Sequence, residues 1–89
     1  MLKIDLSKRA GKFLQKLPGK QARQLAIKIQ SLRSHPEPPD SLPQKGHAPF
    51  RRADAGEYRI IYFVESDTLV VILVGKRNDD EICKQLKRL

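Results

Sequence analysis

The chain has 89 residues, of which 39% are hydrophobic and 31% are charged. This length and composition fit one modest folded core rather than disorder, so we expect residues 1–89 to form a single domain. There is no apolar run of the roughly 20 residues that a membrane helix needs, and no signal segment opens the chain. The single cysteine excludes an internal disulfide and a cysteine-rich zinc site. We therefore expect a cytoplasmic protein with no membrane partner.

The formal net charge of +8 is unevenly distributed along the chain. Residues 1–34 contain nine lysines and arginines against one acidic residue, Asp5, whereas residues 35–89 contain nine basic and nine acidic residues. This asymmetry favours an anionic partner, with nucleic acid first. A solvated face that only keeps the protein soluble fits the charge pattern equally well.

The first third of the chain predicts a short strand followed by two helices. Residues 2–6 alternate apolar and polar side chains, as in a half-buried strand, and Ser7 can then cap a helix. Apolar residues recur at helical spacing from there to Leu17, where Pro18-Gly19 ends the helix, and again from about Lys20 to Arg33. Such a helical hairpin must bury its apolar side, and a sheet is the natural surface for it.

The rest of the chain predicts strands and a final helix. His35 to Pro49 contains five prolines and is expected to be an extended connector. Its two histidines have no third ligand at a suitable spacing, so we expect no metal site and no other cofactor. Residues 50–53 predict a short strand, and Gly56 to Arg77 predicts a β-hairpin in the middle of an antiparallel sheet. Asn78 can cap a C-terminal helix with an acidic first turn and a basic last turn. The order β-α-α-β-β-β-α describes a small α+β domain.

Five cations surround the predicted hairpin, and no common catalytic motif accompanies them. They are Arg51, Arg52, Arg59, Lys76 and Arg77. Arginine presents a planar fork of donors that matches a phosphate, and it stays charged in any surroundings. Several arginines that meet in a groove could bind an RNA backbone and stabilise charge that develops on phosphorus.

The strand register decides whether the two most informative of these arginines meet. A loop of two or four residues in the hairpin pairs odd-numbered residues with even-numbered ones, which places Arg59 and Arg77 on opposite faces. A loop of odd length places them on the same face. In the simpler alternative, Arg59 pairs with Glu57 or Asp54 at the rim of the sheet, and Lys76 and Arg77 are ordinary loop cations. The residues leave these alternatives open.

The run from Phe50 to Leu86 resembles the RelE/ParE superfamily of bacterial and archaeal toxins, and within it the RelE branch. The matching stretches are an arginine-rich strand, GEYRIIY from Gly56, VGKRN from Val74 and DDEI from Asp79. Their combination is fairly specific, whereas the two helices ahead of them match more loosely. The resemblance implies the RelE-like microbial RNase fold: an N-terminal strand, a helical hairpin, an antiparallel β-sheet and a C-terminal helix.

The resemblance also implies a function and its residues. It implies the toxin of a type II toxin–antitoxin system, an mRNA endoribonuclease (mRNA interferase) that cuts mRNA in the ribosomal A site. The RNA 2′-hydroxyl attacks the neighbouring phosphate without a metal. Arg59 would contact the scissile phosphate and Arg77 would stabilise the transition state. Arg52 would be a base or phosphate ligand, with Arg51 and Lys76 in support. Cys83 stands where RelE-type enzymes commonly have a tyrosine, which predicts weak activity.

The expected partners follow from the same resemblance. The basic residues of the helical hairpin are expected to contact ribosomal RNA: Lys8, Arg9, Lys12, Lys16, Lys20, Arg23 and Lys28. A RelB-like antitoxin is expected to wrap the domain in a toxin–antitoxin hetero-oligomer. Two alternatives stay open. One is a ParE-like inhibitor of DNA gyrase that does not cut RNA, and the other is a basic interaction domain without catalysis.

Overall fold

The structure, a computed structural model, describes residues 1–44, 46, 49–77 and 81–87, without the side chains of Glu81, Cys83 and Lys87. Its elements are β1 (Lys3–Leu6), α1 (Lys8–Lys16), α2 (Gly19–Ser34), β2 (Ser41–Pro43), β3 (Arg51–Ala55), β4 (Tyr58–Glu65), β5 (Thr68–Lys76) and α3 (Glu81–Lys87). None of the helices among these residues has the length and apolarity needed to cross a membrane. The predicted cap of the last helix, Asn78, lies outside the described residues.

The five strands form one sheet in the order β1-β5-β4-β3-β2. The pairs are antiparallel except for β1, which runs parallel to β5. The α+β class and the central place of the hairpin strands are confirmed. The proline-rich connector contains one element that the sequence pattern did not predict, the short strand β2. Pro43 is compatible with it because β2 is an edge strand, where a missing N–H leaves no gap in the ladder.

The helical hairpin begins at a side-chain cap. The hydroxyl oxygen of Ser7 accepts a hydrogen bond from the Ala10 amide at 3.1 Å, as predicted for an N-cap. The same hydroxyl donates to the carbonyl of Ile72 at 2.6 Å, and the Ser7 amide donates to the carbonyl of Val71 at 2.9 Å. Ser7 therefore ties the start of α1 to the middle of β5.

Apolar side chains cover both faces of the sheet, as expected for a hairpin in the middle of it. The face covered by α1 and α2, here the helix-pair face, buries Ile60, Tyr62 and Val71 against residues such as Leu25. The opposite face, here the α3 face, buries Ile61 and Leu73 against α3. Because β4 and β5 are packed on both sides, their side chains cannot change face without exposing a core.

The hairpin has a two-residue loop and a β-bulge. Glu65 pairs with Thr68 across the loop, where Ser66 takes a positive φ of 55°. The register shifts between Ile61 and Tyr62: Tyr62 pairs with Val71, but Ile61 pairs with Leu73, so that Ile72 is the extra residue. A bulge of this kind inserts one residue into one strand only. Beyond it, odd-numbered residues pair with odd-numbered ones.

The bulge determines on which face of the sheet Arg59 and Arg77 lie. A two-residue loop alone would place Arg59 and Arg77 on opposite faces of the sheet. With Ile72 inserted, Arg59 pairs with Gly75, so that Arg77, two residues further on, returns to the face of Arg59. A two-residue loop therefore occurs together with the same-face arrangement, because the bulge has the effect that a loop of odd length would have.

Ser7 provides a test of how α1 and the bulge depend on each other. We expect Ser7→Ala to lower the free energy of unfolding by about 2–3 kcal/mol, because it removes a helix cap and the partner of the bulge carbonyl together. The control is Ser31→Ala, in an exposed part of α2, which should change stability by less than about 0.5 kcal/mol. Urea denaturation measures both, and equal small effects would contradict the account.

Candidate functional site

Arg59 and Arg77, here the arginine pair, converge on one carboxylate. The Nε of Arg59 donates to Asp54 Oδ1 at 3.0 Å. The Nη1 of Arg77 lies 3.8 Å from the other oxygen of the same carboxylate, Asp54 Oδ2. The sequence offers two alternatives: Arg59 pairs with Asp54 at the rim of the sheet, or the two arginines meet. Both occur in the structure.

The backbone register positions all three charged residues. Asp54 of β3 stands directly opposite Arg59 of β4, and Arg59 stands opposite Gly75 of β5. The ladder continues one step past the end of β5, where the Arg77 amide donates to the carbonyl of Glu57 at 2.9 Å. Cross-strand partners project from the same face of a sheet. Arg59 is therefore held within a paired strand of the sheet, and Arg77 is held by this backbone hydrogen bond just past the end of β5.

Glycine at position 75 lets α3 approach the arginine pair closely. A Cβ at this position would lie 2.9 Å from Cγ1 of Ile82, closer than side chains tolerate. Ile82 is buried and packs in the core of the α3 face. The first turn of α3 therefore lies over the strand that carries Gly75, next to Arg59.

Arg52 belongs to the same face and adds a third cation. It lies two residues before Asp54 on β3 and pairs with Ile61, whose side chain is buried on the α3 face. Its side chain is half-buried, and no described residue forms a hydrogen bond or ion pair with it. Arg52, Arg59, Arg77 and Asp54 together make a group of four side chains with a net charge of +2, which suits a phosphate.

Arg51 points to the opposite face and holds the proline-rich segment. Its Nε donates to the Ser41 hydroxyl at 3.0 Å, and its Nη2 donates to the Ser41 carbonyl at 3.2 Å. Its Nη1 lies 3.3 Å from Glu37 Oε1. The Tyr62 hydroxyl, 2.6 Å from the Ser41 hydroxyl, donates to the carbonyl of Pro36. Strand alternation thus separates Arg51 from Arg52 and does not bring it to the arginine pair.

The two remaining residues predicted for the site are Lys76 and Cys83. Lys76 is exposed and pairs with Tyr58, whose ring packs against Phe13 of α1 at a centroid distance of 5.9 Å, so Lys76 belongs to the helix-pair face. Cys83 falls in α3, but its side chain lies outside the described residues. Within the part of the chain that is described, no cluster of three His, Cys, Asp or Glu side chains could hold a metal ion.

The predicted RNA-contacting cations of the helices differ in their exposure. Six of them are exposed: Lys8, Arg9, Lys12, Lys16, Lys20 and Arg23. Lys28 is half-buried and donates to the Asp40 carboxylate. This hydrogen bond holds the pKa of the Asp40 carboxyl below its usual range. Lys28 is therefore already paired within the protein, whereas the other six present their charge to solvent.

The sequence comparison assigns the family. Residues 4–81 match the model of the ParE toxin of type II toxin–antitoxin systems, parDE. The chain belongs to this toxin family. It is a type II toxin of the RelE/ParE superfamily, and the resemblance drawn from GEYRIIY and VGKRN is confirmed. No individual curated protein matches the toxin significantly.

Solved structures confirm the fold of the toxin. A chain of the archaeal RelE–RelB complex from Pyrococcus horikoshii OT3 is 25% identical, with a TM-score of 0.75 over 86% of the toxin and 96% of that chain. The isolated E. coli RelE toxin is 24% identical, with a TM-score of 0.75 over 99% and 98% of the two chains. A mutant of E. coli RelE in the free state is 23% identical, with a TM-score of 0.81 over 98% and 95%.

Arg51 and Arg52, which are neighbours on β3, allow a test of which arginine lies on which face of the sheet. We expect Arg51→Ala to lower the free energy of unfolding by about 1–3 kcal/mol, because Ser41, which is buried, loses two donors. Arg52→Ala should change it by less than about 0.5 kcal/mol, since it breaks no hydrogen bond or ion pair with a described residue. Urea denaturation measures both variants. The assignment of the faces is wrong if Arg52→Ala proves the more destabilising.

Proposed function

We propose that this toxin is a ribosome-dependent mRNA endoribonuclease, as RelE-type toxins are. The observation that carries the proposal is the convergence of the arginine pair on one anion, the Asp54 carboxylate. Two guanidinium groups that meet at a single carboxylate are spaced to meet at a single phosphate. The half-buried Arg52 on the same face supplies a third positive charge.

In the proposed reaction, a 2′-hydroxyl oxygen of the message attacks the adjacent phosphorus and the bond to the 5′ oxygen breaks. The hydroxyl proton passes to a base, and the leaving oxygen takes up a proton. The arginine pair would bind the non-bridging oxygens and stabilise the charge that grows on them in the transition state. Arg52 fits the role of a phosphate ligand better than that of a base, because a guanidinium group does not lose its proton in proteins.

The partners of the toxin would use different faces of the sheet. The six exposed cations of α1 and α2 would contact ribosomal RNA, while the arginine pair on the α3 face handles the message. Lys28 would contribute less, since Asp40 already binds it. Among the structural relatives, RelE toxins from P. horikoshii and E. coli form complexes with RelB. We propose a RelB-like antitoxin for this toxin, in a hetero-oligomer within the cytoplasm.

The name of the matching family supports a second candidate. The model is that of the ParE toxin, and a ParE-like toxin would inhibit DNA gyrase and leave RNA intact. The nuclease is favoured because gyrase inhibition gives no reason for two arginines to converge on one carboxylate. A basic interaction domain without catalysis is the third candidate, and it also leaves this convergence unexplained.

Inducible expression, with the ends of mRNA mapped by primer extension, distinguishes the three candidates. We expect cleavage within codons in the ribosomal A site, and Arg77→Ala should reduce its rate by about a hundredfold or more, since it removes one of two charge-stabilising donors. The charge-matched control is Lys3→Ala, whose cation is exposed and, among the described residues, pairs with Asp67. It should cleave like the wild type. Intact mRNA together with inhibited DNA supercoiling would establish the gyrase candidate, and neither effect would favour the interaction domain.

Cys83 leads to a separate prediction about rate. We propose that the toxin is an attenuated nuclease, because a thiol cannot stack on RNA as the phenol of the usual tyrosine does. Cys83→Tyr should raise the rate of ribosome-dependent cleavage about tenfold or more, within the range of general acid–base effects. Cys83→Phe is the matched variant, since it can stack but cannot exchange a proton. The attenuation hypothesis fails if the tyrosine variant cleaves no faster than the wild type.

A further inference from the structure

We infer that Asp54 is a positioning residue of the site: its carboxylate orients the arginine pair and competes with the RNA phosphate that the pair binds. The inference deepens the proposed function and rests on it. It predicts an unusual combination of effects, because Asp54 favours cleavage while it weakens binding. The contacts of the carboxylate, its exposure and its charge lead to this assignment.

The contact between Asp54 and Arg59 fixes the guanidinium without using its outer donors. Only Nε of Arg59 donates to the carboxylate, at 3.0 Å, and no described residue accepts a hydrogen bond from the two terminal nitrogens. The guanidinium is planar and rigid, so a hydrogen bond at Nε turns the edge that carries Nε towards Asp54. Arg59 is thereby oriented while its terminal fork stays available to a phosphate.

The contact between Asp54 and Arg77 is looser and depends more on charge. Its atoms are 3.8 Å apart, and the Arg77 side chain is 48% exposed, against 25% for Arg59. Two guanidinium groups on one face repel each other, and a carboxylate between them offsets this repulsion. Asp54 therefore draws the more exposed cation, Arg77, towards the more buried one, Arg59.

The same carboxylate repels any phosphate that approaches the arginine pair. It occupies one anion position at these two cations and reduces their combined charge from two to one. A phosphate must share or replace these contacts, which costs affinity. Asp54 would thus weaken the binding of RNA but hold the reacting phosphate in a defined geometry. Stabilisation of the transition state depends on that geometry.

Asp54 can be changed without loss of the fold. Its side chain is 38% exposed, and ion pairs with this much exposure contribute little to stability. Asp54→Asn keeps the size of the side chain and an oxygen that can accept from Nε, but removes the charge. Asp54→Ala removes both. Glu57→Gln is the control: Glu57 is an exposed neighbour with no ion pair to a described residue, and its change removes the same charge nearby.

The test measures binding and cleavage separately. Binding is measured with a short 2′-O-methyl RNA oligonucleotide, which cannot be cleaved, over a range of salt concentrations. Cleavage is measured as a single-turnover rate on programmed ribosomes. We expect both Asp54 variants to bind the oligonucleotide about threefold to tenfold more tightly than Glu57→Gln does. We expect cleavage to slow about tenfold in Asp54→Asn, and further in Asp54→Ala, because alanine also loses the bond to Nε.

The possible outcomes separate this inference from the proposed function. Tighter binding together with slower cleavage supports the inference, whereas a purely structural role of Asp54 would weaken both. Weaker binding, unchanged cleavage, or equal effects in Glu57→Gln would overturn it. If the wild-type toxin does not cleave RNA on ribosomes, the proposed function fails. The binding measurement then decides the inference alone, and unchanged affinity in both Asp54 variants would overturn it.

Discussion

The candidate site depends on a single inserted residue in β5. The bulge at Ile72 changes the pairing of the hairpin half-way along its length. Because of this shift, Arg59 and Arg77 lie on the same face of the sheet. An unpaired carbonyl within a sheet is costly, and here the hydroxyl of Ser7 satisfies it while capping α1. The start of the helical hairpin therefore stabilises the irregularity that creates the site on the opposite face.

Local patterns predicted most of the fold and part of the site. The two hairpin strands and the cap at Ser7 are structure formed by neighbours in the sequence, and both were predicted. The bulge was not, because an extra residue leaves both halves of a strand equally apolar. Strand β2 was not predicted either, because its three residues include a proline. Asp54 could be proposed as a partner of Arg59, but its contact with Arg77 depends on the bulge.

The two faces of the sheet divide the charge of the toxin. The helix-pair face carries the exposed lysines and arginines of α1 and α2, and the α3 face carries the arginine pair with Arg52. Arg51 shows why a count of cations is a poor guide to such a site. It is adjacent to Arg52 in sequence, yet it lies on the other face and binds Ser41 and Glu37. The position of an arginine in the strand decides its role.

The most direct test of the account is whether Arg59 and Arg77 act together on one phosphate. A double-mutant cycle answers it: ribosome-dependent cleavage rates are measured for Arg59→Ala, Arg77→Ala and the variant that carries both changes. Residues that act as a unit show strongly non-additive effects. The account predicts that the double variant loses about as much activity as the more damaging single change. Losses that multiply would contradict it, because they would mean that the two arginines work at separate places.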